Sequence, residues 1–343
     1  MRAELSERNK QILEAIIEDY ITTAEPVGSR SVTRRHGLAL SPATVRNVMA
    51  DLEEMGFLTS PHTSAGRVPT DRAYRFYVDS LLAVGTIDKA ERERIRKRYS
   101  AAGRDVGAVL RETSQLLSSV SHYMGIVLAP RFSSTIFRHM EFVKLGGRRI
   151  LAILVAQNGT VQNKLVESEE DIPAADLVRM SNYLNELLGG LPVSEVRNRI
   201  LDEMRSEKVL YDRLLSRALT LSEQTLEDGG AQIFIEGQTN ILDQPEFADA
   251  RRMREVFRAF EEKSQLVNIL DRCLSARGVQ IFIGSETHQS HMEGLSVITS
   301  TYLTGKNTLG VLGVIGPTRM GYAKVIPIVD YTARLVSRLF EEE

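Results

Sequence analysis

Apolar residues recur at three- and four-residue spacing between Ser41 and Phe57, and the N-terminal region is organised around this stretch. Such spacing places side chains on one face of a helix. Ser41 followed by Pro42 is typical of a helix start, because serine accepts a free first-turn N–H and proline has none to satisfy. Gly56 supplies the left-handed residue that often ends a helix. The apolar stripe consists of Val45, Val48, Met49, Leu52 and Met55.

The opposite face of this predicted helix is suited to contact with DNA. It carries Ala43, Arg46, Asn47 and Ala50, with Thr44 at its edge. Small residues allow a close approach, and arginine and asparagine are the side chains best shaped for bidentate contact with guanine and adenine. The pattern favours a recognition helix over an ordinary amphipathic surface helix, provided that the flanking residues agree.

Two patterns before this helix predict further helices. Leu5–Ile21 has apolar residues at helical spacing and is ended by Glu25-Pro26, since the residue before a proline avoids helical backbone. Ser29–His36, closed by Gly37, predicts a short second helix. A tight turn joins this second helix to the capped helix that starts at Ser41, and the pair makes a helix-turn-helix.

The residues after the third helix predict a β-hairpin wing. Strand-like ends at 57–60 and 67–69 flank a Ser-Ala-Gly tip, with Arg67 beside the tip and His62 on its approach. We therefore expect a winged helix over residues 1–82. Arg67 would contact DNA; the alternative is a solubilising hairpin charge paired with Asp71.

The pattern beyond residue 82 predicts an α+β region with an insertion. A charged run at 88–98 is typical of a linker helix, and four strands, with turns at 146–147 and 158–159, predict an antiparallel sheet. A mostly helical block near 190–276 then interrupts the strand pattern, which returns before a final helix. The expected strands are 124–129, 137–145, 150–156, 161–166, 279–283, 295–303 and 309–315, and the expected helices include 173–188, 192–226, 247–260, 265–275 and 320–340.

Composition and charge place this chain among soluble globular proteins with a local basic patch. At 343 residues, 43% hydrophobic and 26% charged, it suggests two or three domains. The net charge of −2 gives no global sign of nucleic-acid binding, yet residues 26–50 hold four arginines and no acid. The lone Cys273 lies in an apolar stripe and is expected to be a buried thiol. Without a signal-peptide core or a membrane-length apolar run, we expect a cytoplasmic protein.

Candidate catalytic and cofactor chemistry is sparse. No glycine-rich phosphate loop is present, because Gly305-Lys306 lacks the upstream glycine of a P-loop. His288 and His291, with Glu286 and Glu293, admit a metal site, but a polar loop is the favoured interpretation. We therefore expect no enzyme, no metal and no cofactor.

Long motifs at both ends of the chain resemble the HrcA family of heat-inducible transcription repressors. The departures are Val48 and Gly321, which stand where acidic residues are expected in relatives. The motifs are Pro26-Val-Gly-Ser-Arg, Ser41-x-Ala-Thr-Val-Arg-Asn, Asp51-Leu-Glu-Glu-Met-Gly, His62-Thr-Ser-Ala-Gly-Arg-Val-Pro-Thr, Tyr74-Arg-Phe-Tyr-Val-Asp, Gly310-Val-Leu-Gly-Val-Ile-Gly-Pro-Thr-Arg-Met and Asp330-Tyr-Thr-Ala-Arg.

The resemblance implies a multidomain α+β architecture and a mode of action. Its parts would be a winged-helix domain at 1–82, a GAF-like domain at 83–190 and 277–343, and an inserted, mostly helical dimerisation domain at 191–276. It implies a homodimer that represses chaperone operons through an inverted-repeat operator in double-stranded DNA, is inactivated by heat and is kept active by the chaperonin.

The family's roles carry over to nine residues of this sequence. Thr44, Arg46 and Asn47, with Ala43 on the same face, would read bases. The residues expected to hold phosphates or the minor groove are Ser41, Arg30, Arg34, His62 and Arg67. Two rivals remain open: a winged-helix regulator whose GAF-like domain binds or processes a small molecule, and a purely structural oligomer, which does not account for a basic helix with a wing.

Overall fold

The N-terminal region of the computed structural model is a winged helix. The structure describes residues 5–341 except 38–39, 62–65, 100–105, 131–134, 158, 205–212, 227–231, 250–252, 255–257, 259, 261–262, 275, 277, 289–291 and 305–306. The elements of this head, in chain order, are α1 (Glu7–Thr23), α2 (Ser29–Arg35), α3 (Pro42–Glu54), β1 (Leu58–Thr59), β2 (Val68–Pro69) and α4 (Asp71–Phe76), which continues as a π-helical turn over Tyr77–Leu81. The two strands pair antiparallel. The predicted winged helix is confirmed.

The described residues beyond the head form eight strands and the helices that cover them. The strands are β3 (Met124–Leu128), β4 (Phe137–Gly146), β5 (Arg149–Ala156), β6 (Val161–Glu167), β7 (Ile233–Glu236), β8 (Val279–Ile283), β9 (Leu295–Thr304) and β10 (Asn307–Pro317). The helices are α5 (Lys89–Tyr99), α6 (Val106–Ser121), α7 (Ala174–Leu188), α8 (Val193–Met204), α9 (Arg213–Leu226), α10 (Thr239–Leu242), α11 (Lys263–Leu274) and α12 (Tyr322–Glu341). The helix expected over 247–260 falls partly outside the described residues. None of the described helices is long and apolar enough to cross a bilayer.

Five of these strands form one antiparallel sheet in the order β7-β3-β10-β9-β8. Helices α6 and α12 pack apolar side chains on one face. Helix α11 and the segment around Phe247 pack on the other face. Every residue of β3 is buried, as a central strand covered on both faces requires.

The other three strands form a separate sheet in the order β4-β5-β6. Helices α7, α8 and α9 cover one face of this sheet and share an apolar core with it. Asn185 ties the layers together, since its side chain accepts a hydrogen bond from the Met140 N–H at 2.7 Å and donates one to the Met140 carbonyl at 3.0 Å. We call this unit the three-stranded module.

The single antiparallel sheet expected from the strands after residue 124 is wrong. β3 pairs with β10 and β7, far away in sequence, whereas β4, β5 and β6 form a sheet of their own. Residues 191–276, expected as one inserted helical domain, are divided between two cores: α8 and α9 join the three-stranded module, and β7 and α11 join the five-stranded sheet. The segment inserted between β3 and β7 is therefore the three-stranded module. A fully apolar strand needs cover on both faces, so β3 cannot lie in a sheet that has helices on one side only.

One apolar core runs without a break from the head into the five-stranded sheet. It joins Ile12 and Ile16 of α1 to Ile298 of β9 and Val325 of α12. The rings of Tyr74 and Tyr322 lie across this junction with centroids 6.1 Å apart. The head is therefore packed on the sheet rather than suspended from a linker.

Removal of the buried Tyr74 hydroxyl is predicted to stabilise the protein. Tyr74 is 2% exposed, and its hydroxyl has no hydrogen-bond partner among the described residues. A buried polar group without a partner costs about 1–3 kcal/mol. We expect Tyr74→Phe to raise the thermal midpoint followed by near-UV circular dichroism.

Tyr302 is the matched control for this substitution. It is equally buried, but its hydroxyl donates a hydrogen bond to the Leu128 carbonyl at 2.8 Å. Tyr302→Phe should therefore lower the midpoint because a buried acceptor loses its donor. A loss of stability of the same size in Tyr74→Phe would show that the Tyr74 hydroxyl has a partner.

Candidate nucleic-acid interface

Helix α3 presents the face expected for a recognition helix. Ser41 has extended backbone, and its Oγ accepts the Thr44 N–H at 3.1 Å, while Pro42 occupies the first helical position. Four residues of the apolar stripe, Val45, Val48, Met49 and Leu52, are buried in the head core, and Met55 packs partly buried against it. Because that side is buried, the opposite side faces solvent. Its exposed residues are Ala43, Arg46, Asn47 and Ala50.

Thr44 is already engaged at the start of α3. Its hydroxyl lies 2.9 Å from Ser41 Oγ, and the residue is only half-buried. Ser41 and Thr44 thus form a small hydroxyl pair at the helix N-terminus. A base or phosphate contact by either hydroxyl would have to share or replace this bond. Their DNA roles remain predictions.

Three arginines around this face are exposed cations. Arg30 and Arg34 lie one turn apart on α2, which packs directly against α3, and Arg46 projects from α3 itself. Within the described part of the chain, none of the three has a carboxylate within ion-pairing distance. An exposed arginine without an intramolecular partner can meet a phosphate or a base edge without first breaking an ion pair.

A buried carboxylate fixes the angle between α1 and α2. Asp19 is 6% exposed and lies 3.2 Å from His36 Nε2, 3.3 Å from the Arg35 guanidinium and 3.4 Å from Ser31 Oγ. Arg35 therefore helps to pack the head and is not one of its unpaired basic side chains. Sequence reasoning missed Asp19; its one signal is an acid three residues after the buried Ile16, where a charge needs partners.

The wing is tied to the segment that leads into α2. The Val27 N–H donates to the Arg67 carbonyl, and the Arg67 N–H donates to the Val27 carbonyl, both at 2.9 Å. A Cβ on Gly66 would overlap the Val27 backbone, so this close approach requires glycine. The two motifs that contain Val27 and Arg67 thus meet in a third, one-residue strand of the wing.

The Arg67 side chain is held within the head. Its Nη2 lies 2.8 Å from Glu53 Oε2 of α3, and its Nη1 donates to Ser60 Oγ at 3.3 Å. The alternative in which Arg67 pairs with Asp71 is wrong, because Asp71 instead accepts the Ser285 N–H. A DNA phosphate would have to compete with Glu53, and a DNA contact by Arg67 remains a prediction.

His62 and the wing tip lie outside the described residues, so the expected DNA contact of His62 stays a prediction.

The base of the wing is anchored by residues that sequence reasoning missed. Arg72 donates to the Met55 carbonyl at 2.8 Å and its guanidinium lies 4.7 Å from the Phe57 ring centroid. Thr70 Oγ1 lies 2.8 Å from the Gly56 carbonyl oxygen. Together they hold the C-terminal end of α3 against the wing.

Two of the residues considered for other chemistry, Glu286 and Cys273, have structural partners, and His291 lies outside the described residues. Glu286 is bound by Arg75 of the head, and no group of three described His, Cys, Asp or Glu side chains is arranged to hold a metal ion. Cys273 is buried on α11, and burial raises the pKa of its thiol. A thiol with a raised pKa is a poor nucleophile at neutral pH, as expected for a packing residue.

Family models match most of the chain. Residues 4–80 match the winged helix-turn-helix transcription repressor, HrcA DNA-binding model, and residues 107–326 match the HrcA protein C-terminal domain. The heat-inducible transcription repressor HrcA of Geobacter sulfurreducens is 82% identical over 340 residues, covering 99% of both chains. The chain belongs to the HrcA family. It is a transcription repressor and not an enzyme.

Two further comparisons give one more relative in this family and one solved structure with the same fold. The HrcA repressor of Syntrophobacter fumaroxidans is 47% identical over 343 residues, covering 99% of both chains. The crystal structure of a hypothetical protein at 2.2 Å resolution shares the fold, with a TM-score of 0.62, 21% identity and 98% of both chains covered. The HrcA head described above is thus the DNA-binding domain, and α3 is its candidate recognition helix.

We predict different losses for two arginines of the HrcA head. Arg46→Ala should cost about 1–3 kcal/mol on the operator and relax base preference, because Arg46 is expected to contact a base. Arg30→Ala should weaken operator and random DNA alike and reduce the salt slope by about one, because Arg30 is expected to contact a phosphate. Fluorescence anisotropy at several salt concentrations measures both. Equal losses on operator and random DNA for Arg46→Ala would contradict its role in base recognition.

Proposed function

We propose that this HrcA protein acts in the cytoplasm as a homodimer that represses chaperone operons through an inverted-repeat operator. The observation that carries the proposal is α3, whose capped N-terminus presents Arg46 and Asn47 beside Arg30 and Arg34, which have no ion-pair partner among the described residues. Ala43, Thr44, Arg46 and Asn47 would lie against base edges. Ser41, Arg30, Arg34, His62 and Arg67 would hold phosphates or the minor groove.

Footprinting on the DNA upstream of the host's chaperonin genes tests this proposal. A symmetric protected region with two half-sites is the expected result, because two heads related by a two-fold axis read an inverted repeat. Protection of a single half-site, or none above the level of random DNA, would contradict it.

The surface that we assign to dimerisation is the uncovered face of the three-stranded module. The opposite face is covered by α7, α8 and α9, yet the central strand β5 is apolar on both sides. On the uncovered side its residues are Leu151, Ile153 and Val155, each only partly buried. A strand that is apolar on both faces is typical of a sheet covered on both faces.

The neighbouring strands extend this apolar face. Leu151 lies opposite Val143 on β4 and Leu165 on β6, and Val155 lies opposite Val161. Leu165 is 58% exposed and Val161 57%. Contiguous exposed apolar patches are typical of interaction sites, and a two-fold dimer uses the same patch on both chains. A second copy of this chain is therefore the occupant that we propose.

We predict that charges on this face separate the dimer. The double substitution Val161→Lys with Leu165→Lys should leave the fold intact, since both side chains are exposed, and should yield a monomer because two like charges per chain would face each other. Sedimentation velocity measures the assembly state. Operator affinity should fall at the same time, while binding to one half-site stays unchanged.

Val178→Lys is the matched control for the dimer surface. Val178 is 57% exposed, as Val161 is, but lies on α7 in the helical layer of the same module. It should remain dimeric. A monomer for Val178→Lys with an intact dimer for the double variant would move the interface to the helical layer.

We also propose that heat inactivates this repressor by loosening its fold and that the chaperonin restores it. Native proteins are stable by only about 5–15 kcal/mol, so a few degrees can release an active state. The continuous core between head and sheet supports the proposal, because loosening it would affect the DNA-binding surface directly. Apolar surface exposed in this way is what a chaperonin binds.

The heat proposal predicts that operator occupancy and tertiary structure fall together. We expect both signals, followed by anisotropy and near-UV circular dichroism across the heat-shock range, to decline at one temperature without chaperonin. Chaperonin with nucleotide should restore occupancy on cooling. A loss of occupancy while the circular dichroism stays native would instead favour the ligand-responsive alternative.

A further inference from the structure

The last helix of the head is bonded to the loop that follows β8 of the five-stranded sheet. Arg75 of α4 donates from Nε to Glu286 Oε1 at 2.8 Å and from Nη2 to the second Glu286 oxygen and to the Ile281 carbonyl, the latter at 2.6 Å. Its Nη1 also lies 3.2 Å from Asp79 Oδ1. A two-pronged bond between a planar guanidinium and a carboxylate fixes orientation as well as distance.

A second bond beside the first constrains the same loop. The Ser285 N–H donates to Asp71 Oδ2 of α4 at 2.9 Å. Gly284 has φ +51°, and a Cβ there would overlap the Asp71 carboxylate, so both the backbone and the close approach require glycine. Glu286 is fixed from its own side too, since it accepts the Ile283 N–H at 2.9 Å. We call Asp71, Arg75, Gly284, Ser285 and Glu286 the α4 joint.

The head is also held at a separate point. Arg319, in the turn before α12, donates to the Ile21 carbonyl of α1 at 3.1 Å and is anchored by Glu246 and, at 3.0 Å, by Gln244 Oε1. Its side chain is only 11% exposed. Two separate attachments, one on α4 and one near the end of α1, oppose rotation of the head on the sheet.

The ion pair of the α4 joint is charged at neutral pH. Burial acts to raise the pKa of Glu286, but the hydrogen bonds from Arg75 and from the Ile283 N–H outweigh it, and the pKa lies below its ordinary value. A lowered folded-state pKa means that the pair contributes stability above the ordinary carboxyl pKa and loses it only as pH falls through the folded value. The joint is therefore not a switch in the neutral range.

We propose that the α4 joint sets the angle of the head and thereby the half-site separation that the repressor accepts. The inference rests on the proposed dimer on an inverted repeat, in which two recognition helices must reach their half-sites together. One base pair rotates a half-site by about 35° about the DNA axis. A rigid joint rejects such a change, whereas a free head follows it.

Arg75→Met and Arg334→Met form the test pair. Methionine keeps the apolar stem of Arg75 and removes the fork. Arg334→Met removes the same charge from α12, where Arg334 pairs at 2.7 Å with Asp330 on the same helix. Glu286→Gln breaks the joint from its other side and serves if Arg75→Met does not fold by near-UV circular dichroism.

The measurement is affinity for the footprinted operator and for versions with two base pairs added or removed at its centre. The affinity of wild type and of Arg334→Met should fall at least about a hundredfold on the altered spacings, because simultaneous binding of both heads contributes a factor of about 10²–10⁴ to bivalent affinity. The affinity of Arg75→Met for the altered spacings should fall less than about tenfold, and its affinity for a single half-site should be unchanged.

The possible outcomes distinguish a failure of the α4 joint inference from a failure of the proposed function. An Arg75→Met protein that folds and remains as selective for spacing as wild type would overturn the role of the joint, whatever its affinity. A wild type without any spacing preference would instead overturn the proposed two-headed binding, and the joint inference with it. A loss of selectivity in both Arg75→Met and Glu286→Gln, but not in Arg334→Met, would support the proposal.

Discussion

The continuity of the apolar core between the head and the five-stranded sheet is the constraint on which the rest of the structure depends. Tyr74 of the head packs beside Tyr322 of α12, and both are almost fully buried. A DNA-binding head joined by a linker alone would melt and turn independently of its partner domain. Here the buried junction makes the position of α3 a property of the whole chain. Polar contacts at the α4 joint and at Arg319 then choose one orientation on an apolar surface that by itself is not directional.

The head was predictable because its signals are local. The cap at Ser41, the stripe in α3 and the break at Pro26 each specify backbone within a few residues, and all were confirmed. The individual strands beyond residue 120 were also found, because alternation and apolar runs mark a strand wherever it pairs. Their partners were not predictable in this way. β3 lies between β7 and β10, and about 105 and 180 residues of chain separate the paired segments.

The contacts that orient the head left almost no trace in the sequence. Glu286 lies in a polar segment that resembled a loop or a weak metal site, and its partner Arg75 is 211 residues away. No sequence pattern near either residue indicates the other as its partner, because an ion pair across a domain junction depends on tertiary packing alone. Arg67 illustrates the same limit. Its place on the wing was correct, whereas its engagement by Glu53 follows from how the wing folds over the end of α3.

Two-fold symmetry makes each of these contacts count twice in the proposed dimer. If heat weakens the attachment of one head by about 1 kcal/mol, both heads of a dimer lose it, and the combined loss of about 2 kcal/mol corresponds to about thirtyfold in affinity. Loosening of the junction can therefore lower operator affinity in the same temperature range in which the tertiary structure of the repressor is lost. The junction is suited to that role, because it combines an ion pair, a partly exposed loop and the buried Tyr74 hydroxyl without a described partner. Such a junction is less stable than a wholly apolar one of the same area, and it lies directly between the DNA-binding surface and the rest of the repressor.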